Sequence, residues 1–132
     1  MSAYRNLASQ ISGAVARHQA NSAALGAAEC PAERTRYGAE VRPMLERMEV
    51  MSIDMDAHLR EMGCPGSAEM QATCQAMLGE LDDHLAVACS ANDVAAEATR
   101  HQVAMDSMLD HEMAMLGGMQ GGSMMGSGGG CH

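Results

Sequence analysis

Apolar residues recur along most of this chain at steps of three and four, the spacing that lines one face of an α-helix. Over residues 3–28 that face is Tyr4, Leu7, Ile11, Val15, His18 and Leu25. Cys30-Pro31-Ala32-Glu33 reads as a boundary and restart, because proline suits a first helical turn and an acidic residue suits the positive end of the helix. A second helix is expected over about 32–62, with Tyr37, Val41, Met44, Met48, Met51, Met55, His58 or Leu59, and Met62 on its face. Pro43 removes a backbone donor and is expected to kink this helix or to mark its start near Arg42.

Gly63-Cys64-Pro65-Gly66-Ser67 is a breaker, and Ser67 can cap a third helix over about 67–90 whose stripe is Met70, Cys74, Met77, Leu81, His84 and Ala88. Asn92 or Asp93 caps a fourth helix over about 93–116. Residues 117–132 are rich in glycine and read as a flexible tail carrying Met119, Met124, Met125, Cys131 and His132. No segment alternates as a strand would. Four amphipathic segments with short connections predict an all-α, up-down-up-down antiparallel four-helix bundle over residues 1–116.

Composition sharpens the picture. The chain has 15 methionines, two tyrosines, and neither phenylalanine nor tryptophan. Methionine and histidine share stripes: His101, Met105, Met108, His111 and Met115 on the fourth helix, and Met48, Met51, Met55, His58 and Met62 on the second. Both contain M-x-x-H-x-x-x-M, as Met55/His58/Met62 and Met108/His111/Met115. Thioether and imidazole are donors that soft, late transition metals accept, monovalent copper above all. The competing reading is packing, since methionine is an adaptable core residue.

Helix heights indicate where such sites would lie. Counted from the end holding the 2–3 connection, His18, His84 and His101 all fall at roughly 22 to 25 Å, so three imidazoles are expected at one level, with Met44 or Met48 from the second helix and Glu40 nearby. His58 and His111 are expected to face each other lower down, flanked by Met55, Met62, Met108 and Met115, as a second, softer site or a methionine-lined channel. Cys30 and Cys89 both fall at the other end, where a disulfide between them is geometrically reasonable.

A formal charge of −9 argues against nucleic acid or an anionic membrane as partner and favours cations. No apolar run reaches the length of a membrane span. The opening residues lack the regions of a signal peptide, while four body cysteines without any C-x-x-C favour an oxidising compartment such as a periplasm, so an exported protein would have lost its leader; a cytoplasmic location is the alternative. Glu80 and Glu97 stand four residues before His84 and His101, not the three of di-iron bundles. C-x-x-C-H, H-E-x-x-H and phosphate-cradling glycine loops are absent, and nothing points to an enzyme. A b-type haem held by one His and one Met is the less favoured cofactor.

The M-x-x-H-x-x-x-M runs and the bundle pattern resemble the Met- and His-rich helical copper-binding proteins of the bacterial periplasm, including the four-helix-bundle copper storage proteins. The chain departs from the latter in having no C-x-x-x-C repeats. The resemblance implies copper binding for buffering, storage or transfer, with a copper transporter or chaperone as partner. The alternative is a helical interaction or sensor module with a pliable methionine-rich core.

Overall fold

The computed structural model describes residues 2–125, with side chains described for residues 2–118. Four helices run α1 Ser2–Ala24, α2 Cys30–Glu61, α3 Ala68–Val87 and α4 Val94–Met125, and there is no strand among the described residues. Each helix packs on its sequence neighbour and α1 also packs on α4, so the four form a closed square with α1 diagonal to α3 and α2 diagonal to α4. This is the up-down-up-down bundle. Its core is built from Tyr4, Leu7, Ile11 and Val15 of α1, Tyr37, Val41, Leu45 and Met48 of α2, Met70, Cys74, Met77 and Leu81 of α3, and Met105, Leu109 and Leu116 of α4.

The buried face of α3 is the one its spacing predicts, from Met70 to Ala88. On α2 the buried line is Tyr37, Val41, Leu45, Met48 and Ser52, leaving Met44, Met51 and Met55 at its margin and His58 and Met62 exposed. The reason is periodic. Met44, Met51 and His58, like Met48, Met55 and Met62, repeat every seven residues, and a strict seven-residue repeat drifts by about 20° per heptad around a straight 3.6-residue helix. On α4 the same drift puts Leu109, Glu112 and Leu116 in the core, whereas Met108 and Met115 lie at its edge and His111 is exposed.

Pro43 neither starts nor breaks α2. It lies on an exposed face, where the hydrogen bond it cannot donate costs least. Gly63, at φ 75°, ends the helix, with the Cys64 N–H returning to the Leu59 carbonyl at 2.9 Å. Ser67 does not cap α3 through its hydroxyl, but Asp93 accepts the Ala96 N–H at 3.0 Å and so caps α4. That helix continues to Met125, past the boundary at 116 and through Gly117 and Gly118. Residues 126–132, including Cys131 and His132 of the tail, lie outside the described residues, as do the side chains of Met119, Met124 and Met125.

A disulfide joins Cys30 to Cys89 with Cα atoms 5.7 Å apart, tying the first residue of α2 to the chain just beyond α3. Beside it the α2–α3 contact is close. A Cβ at Gly38 would stand 3.1 Å from Leu85 Cδ1, so the leucine side chain would have to give by a few tenths of an ångström.

Candidate metal centre

Below the disulfide, each helix contributes one ring to a layer across the core: His18 of α1, Tyr37 of α2, His84 of α3 and His101 of α4, none more than 2% exposed. The rings pack as two stacked pairs set edge-on to one another. His18 stacks on Tyr37 with centroids 3.9 Å apart, and His84 on His101 at 4.1 Å. The edge-on contacts are 5.1 Å between His18 and His84 and 5.6 Å between Tyr37 and His101.

The hydrogen bonds fix which nitrogen each imidazole turns inward. His18 Nδ1 bonds Glu33 at 2.7 Å, His84 Nδ1 bonds Glu97 at 2.8 Å and His101 Nδ1 bonds Glu80 at 2.7 Å. Each carboxylate is itself held by a guanidinium. Arg36 forks onto both oxygens of Glu33 at 2.8 Å, and Arg100 onto both oxygens of Glu97 at 2.9 Å while also reaching Glu80. Burial resists ionisation of Glu33, but the bonds from Arg36 and His18 outweigh it and hold the carboxyl down at about 2. Arg100, joined by His84, holds Glu97 down at about 2. Glu80 is lowered too, its burial outweighed by Arg100 and His101.

With three ionised acceptors outside, the hydrogen of each ring resides on Nδ1 and the Nε2 lone pairs face inward. His101 Nε2 accepts the Tyr37 O–H at 2.7 Å. His18 Nε2 and His84 Nε2 stand 2.9 Å from each other. Burial lowers His18, and lowers His101 to about 4, against the pull of their carboxylates. Neutral rings in these tautomers set two lone pairs against each other between His18 and His84, an arrangement that a positive charge relieves.

The layer thus brings together His18, His84 and His101 as their spacing predicts, but not the other candidate ligands. Tyr37 stands where Met44 or Met48 was expected. The bottom-up count misplaced α2 because that helix has 32 residues to the 23 of α1 and overhangs it at the lower end. Met44 lies seven residues beyond Tyr37, roughly 10 Å along the helix, in a surface groove with Arg17 and Glu40. Met48 is a core residue further down. His58 and His111 do not face each other. Both are exposed, and His111 Nε2 bonds Glu69 on α3 at 3.1 Å. Met55, Met108 and Met115 pack at the core margin and Met62 is 47% exposed, so these four methionines do not enclose a second histidine site.

The outer carboxylates and Tyr37 were missed, although the sequence carries a sign of them. Glu33-x-Thr35-Arg36-Tyr37 recurs as Glu97-x-Thr99-Arg100-His101. The two helical hairpins match position by position through the core: Tyr4, Ala8, Ile11, Val15 and His18 recur as Met70, Cys74, Met77, Leu81 and His84, and Tyr37, Val41, Leu45 and Met48 as His101, Met105, Leu109 and Glu112. The stacked pairs and the Glu–Arg clamps are the two halves of this pseudo-symmetry.

Among the described residues no three His, Cys, Asp or Glu side chains already stand as a bound metal ion would hold them. Two imidazole ligands at 2.0–2.1 Å in tetrahedral geometry are about 3.3 Å apart, so His18 and His84 would have to part slightly, and Tyr37 would have to release His101. No family model, curated protein or solved structure matches the chain.

Proposed function

We propose that this protein binds a late transition metal, copper foremost, at the layer formed by His18, His84 and His101, for buffering, storage or transfer. The observation that carries this reading is the orientation of the three rings. Each presents Nε2 to the core with Nδ1 clamped by a carboxylate, the outer arrangement that metal-binding histidines almost always have. Tyr37 is the neutral fourth group, because burial raises its phenol far above the usual range and keeps it protonated. An imidazole set suits copper and also zinc or nickel, and it does not favour monovalent copper in the way a methionine set would.

The acidic surface favours cations over anionic partners. The Cys30–Cys89 disulfide supports an oxidising compartment, a periplasm or another exported location. A cavity of about 80 Å³ with Ser22, Cys30, Val94 and the outer carboxylate Glu33 in its wall offers a route of approach from the end of the bundle. Haem fits less well, since rings stacked at 3.9 and 4.1 Å leave no gap for a porphyrin between them. A specific observation favours a second reading, a helical module without metal: Met48, Met70, Met77 and Met105 are fully buried, as packing residues are.

The test is elemental analysis of the purified full chain, then anaerobic copper titration against a chromophoric chelator, beside a variant with His18, His84 and His101 all replaced by leucine. The expected result is that the parent holds one more equivalent of tightly bound copper than the variant. Equal affinity in both proteins overturns the assignment, and failure of the parent to compete for copper leaves the structural module.

A further inference from the structure

A second polar layer crosses the core ten residues along α3 from His84, about 15 Å away at 1.5 Å per residue. It too takes one side chain from each helix: Tyr4, Ser52, Cys74 and Glu112, all at most 1% exposed. The Tyr4 hydroxyl donates to Glu112 Oε2 at 2.7 Å, and the Cys74 thiol donates to Glu112 Oε1 at 3.2 Å. Tyr4 Oη lies 3.7 Å from the Cys74 sulfur, and the Ser52 hydroxyl donates to the Glu49 carbonyl of its own helix at 2.7 Å. Cys74 is a free thiol.

This layer differs from the histidine layer in one decisive respect. Glu33, Glu80 and Glu97 each meet an arginine, whereas Glu112 makes no ion pair among the described residues. A fully buried carboxylate whose partners are neutral hydrogen-bond donors lacks the compensating charge that makes burial tolerable. Burial accordingly raises Glu112, and raises the Cys74 thiol to about 12. Met70 and Met77 lie four residues before and three after Cys74, on the same face of α3, and neither is exposed. Two thioethers therefore flank the one thiol that the carboxylate addresses.

We propose that Cys74, with Met70 and Met77, binds one soft monovalent cation, copper(I) or silver(I), and that Glu112 receives the thiol proton. The S–H bond breaks, sulfur keeps the electron pair and forms the bond to the metal, and the proton passes to Glu112 Oε1; no oxidant or reductant is required. The thiolate neutralises the cation and the carboxyl becomes neutral while Tyr4 keeps its bond to Oε2. One buried uncompensated charge is thereby removed. Thiolate and thioether are soft donors, matched to a monovalent ion better than to zinc or calcium. This site is independent of the histidine layer and stands even if that layer holds no metal.

Silver(I) is the probe, because it needs no protection from oxidation. The full chain is titrated while the thiolate-to-metal charge-transfer band in the ultraviolet is followed, and native mass spectrometry counts the ions. Comparison with Cys74→Ser isolates this thiol from other cysteines, and the expected result is the loss of one silver equivalent with its band. Met70→Leu/Met77→Leu conserves volume and should keep the fold, yet bind at least about tenfold more weakly, the loss typical of removing even an outer partner of a metal site. The triple leucine variant of the histidine layer should retain the thiolate-bound silver, which separates failure of this site from failure of the other. Undiminished uptake by Cys74→Ser overturns the proposal, as does unchanged affinity in the methionine pair. If Cys74→Ser loses its helical circular dichroism, the methionine pair decides.

Discussion

His18 Nε2 stands 2.9 Å from His84 Nε2, while the other nitrogen of each ring is bonded to a carboxylate on the next helix. The contact is sound only with a single hydrogen, or a cation, between the two nitrogens, so the rings act as one unit across the diagonal of the bundle. His18→Leu and His84→Leu should each destabilise the metal-free protein by about 1–3 kcal/mol, because each strands the partner nitrogen. The double variant should cost less than the sum, with a coupling of about 0.5–3 kcal/mol. Urea unfolding of the four proteins measures it; strict additivity would show that the two rings do not share a proton.

Tyr37 occupies the place that His101 holds in the other half of the bundle, and donates to His101 Nε2 at 2.7 Å. Tyr37→Phe keeps the stacked ring and removes only the hydroxyl. Metal-free stability should fall by about 1–3 kcal/mol, since a buried acceptor is left without a donor. Metal affinity should rise, because His101 no longer has a hydrogen bond to give up. Isothermal titration of parent and variant tests this, and a drop in affinity would make the phenol a ligand in its own right.

How far these features could be read from sequence depends on the kind of constraint behind them. Four helices, the level of His18, His84 and His101 and the Cys30–Cys89 bond follow from periodicity and length, which the chain displays openly. The lower half went astray because the seven-residue methionine repeats of α2 and α4 mimic a core stripe yet drift off it, so that Glu112 and not His111 turns inward. Glu33, Glu80 and Glu97 look like surface residues on a helical wheel. Only the fold shows them reaching the histidines of neighbouring helices, although the repeated E-x-T-R marks two of the three.

Cys30 opens α2 one turn before Glu33, so the disulfide fixes the height of the carboxylate that holds His18. Its 59-residue separation corresponds to about 4 kcal/mol of loop-closure entropy in the unfolded chain. Cys30→Ala/Cys89→Ala should therefore lower unfolding free energy by roughly 2–4 kcal/mol and also weaken metal binding. Urea unfolding with and without metal separates the two effects. A variant that loses stability but binds metal unchanged would show that the Glu33 clamp is set by helix packing alone.

Acid should unfold the metal-free protein in a window set by His101 first and the carboxylates second. His101 is faced by Glu80 and His84 within the bundle, by Tyr37 and His18 across it, and by Arg100 beside it, and burial holds it down at about 4. An unfolded histidine binds its proton near 6.5. As pH falls from about 6.5 to 4 the unfolded state takes up a proton that His101 refuses, so stability declines, by about 3 kcal/mol when complete. Below about 4.5, Glu33 and Glu97 act in the same direction, since the unfolded carboxyls protonate while the folded ones resist to about 2. A metal on Nε2 denies the histidines their second proton, and the loaded protein should hold its fold to lower pH until the metal is released. Thermal melts between pH 7 and 3, with and without copper, check the sign: stability that stays flat between pH 7 and 4.5 in the metal-free protein would mean that His101 takes up its proton in the folded layer at the same pH as in the unfolded chain.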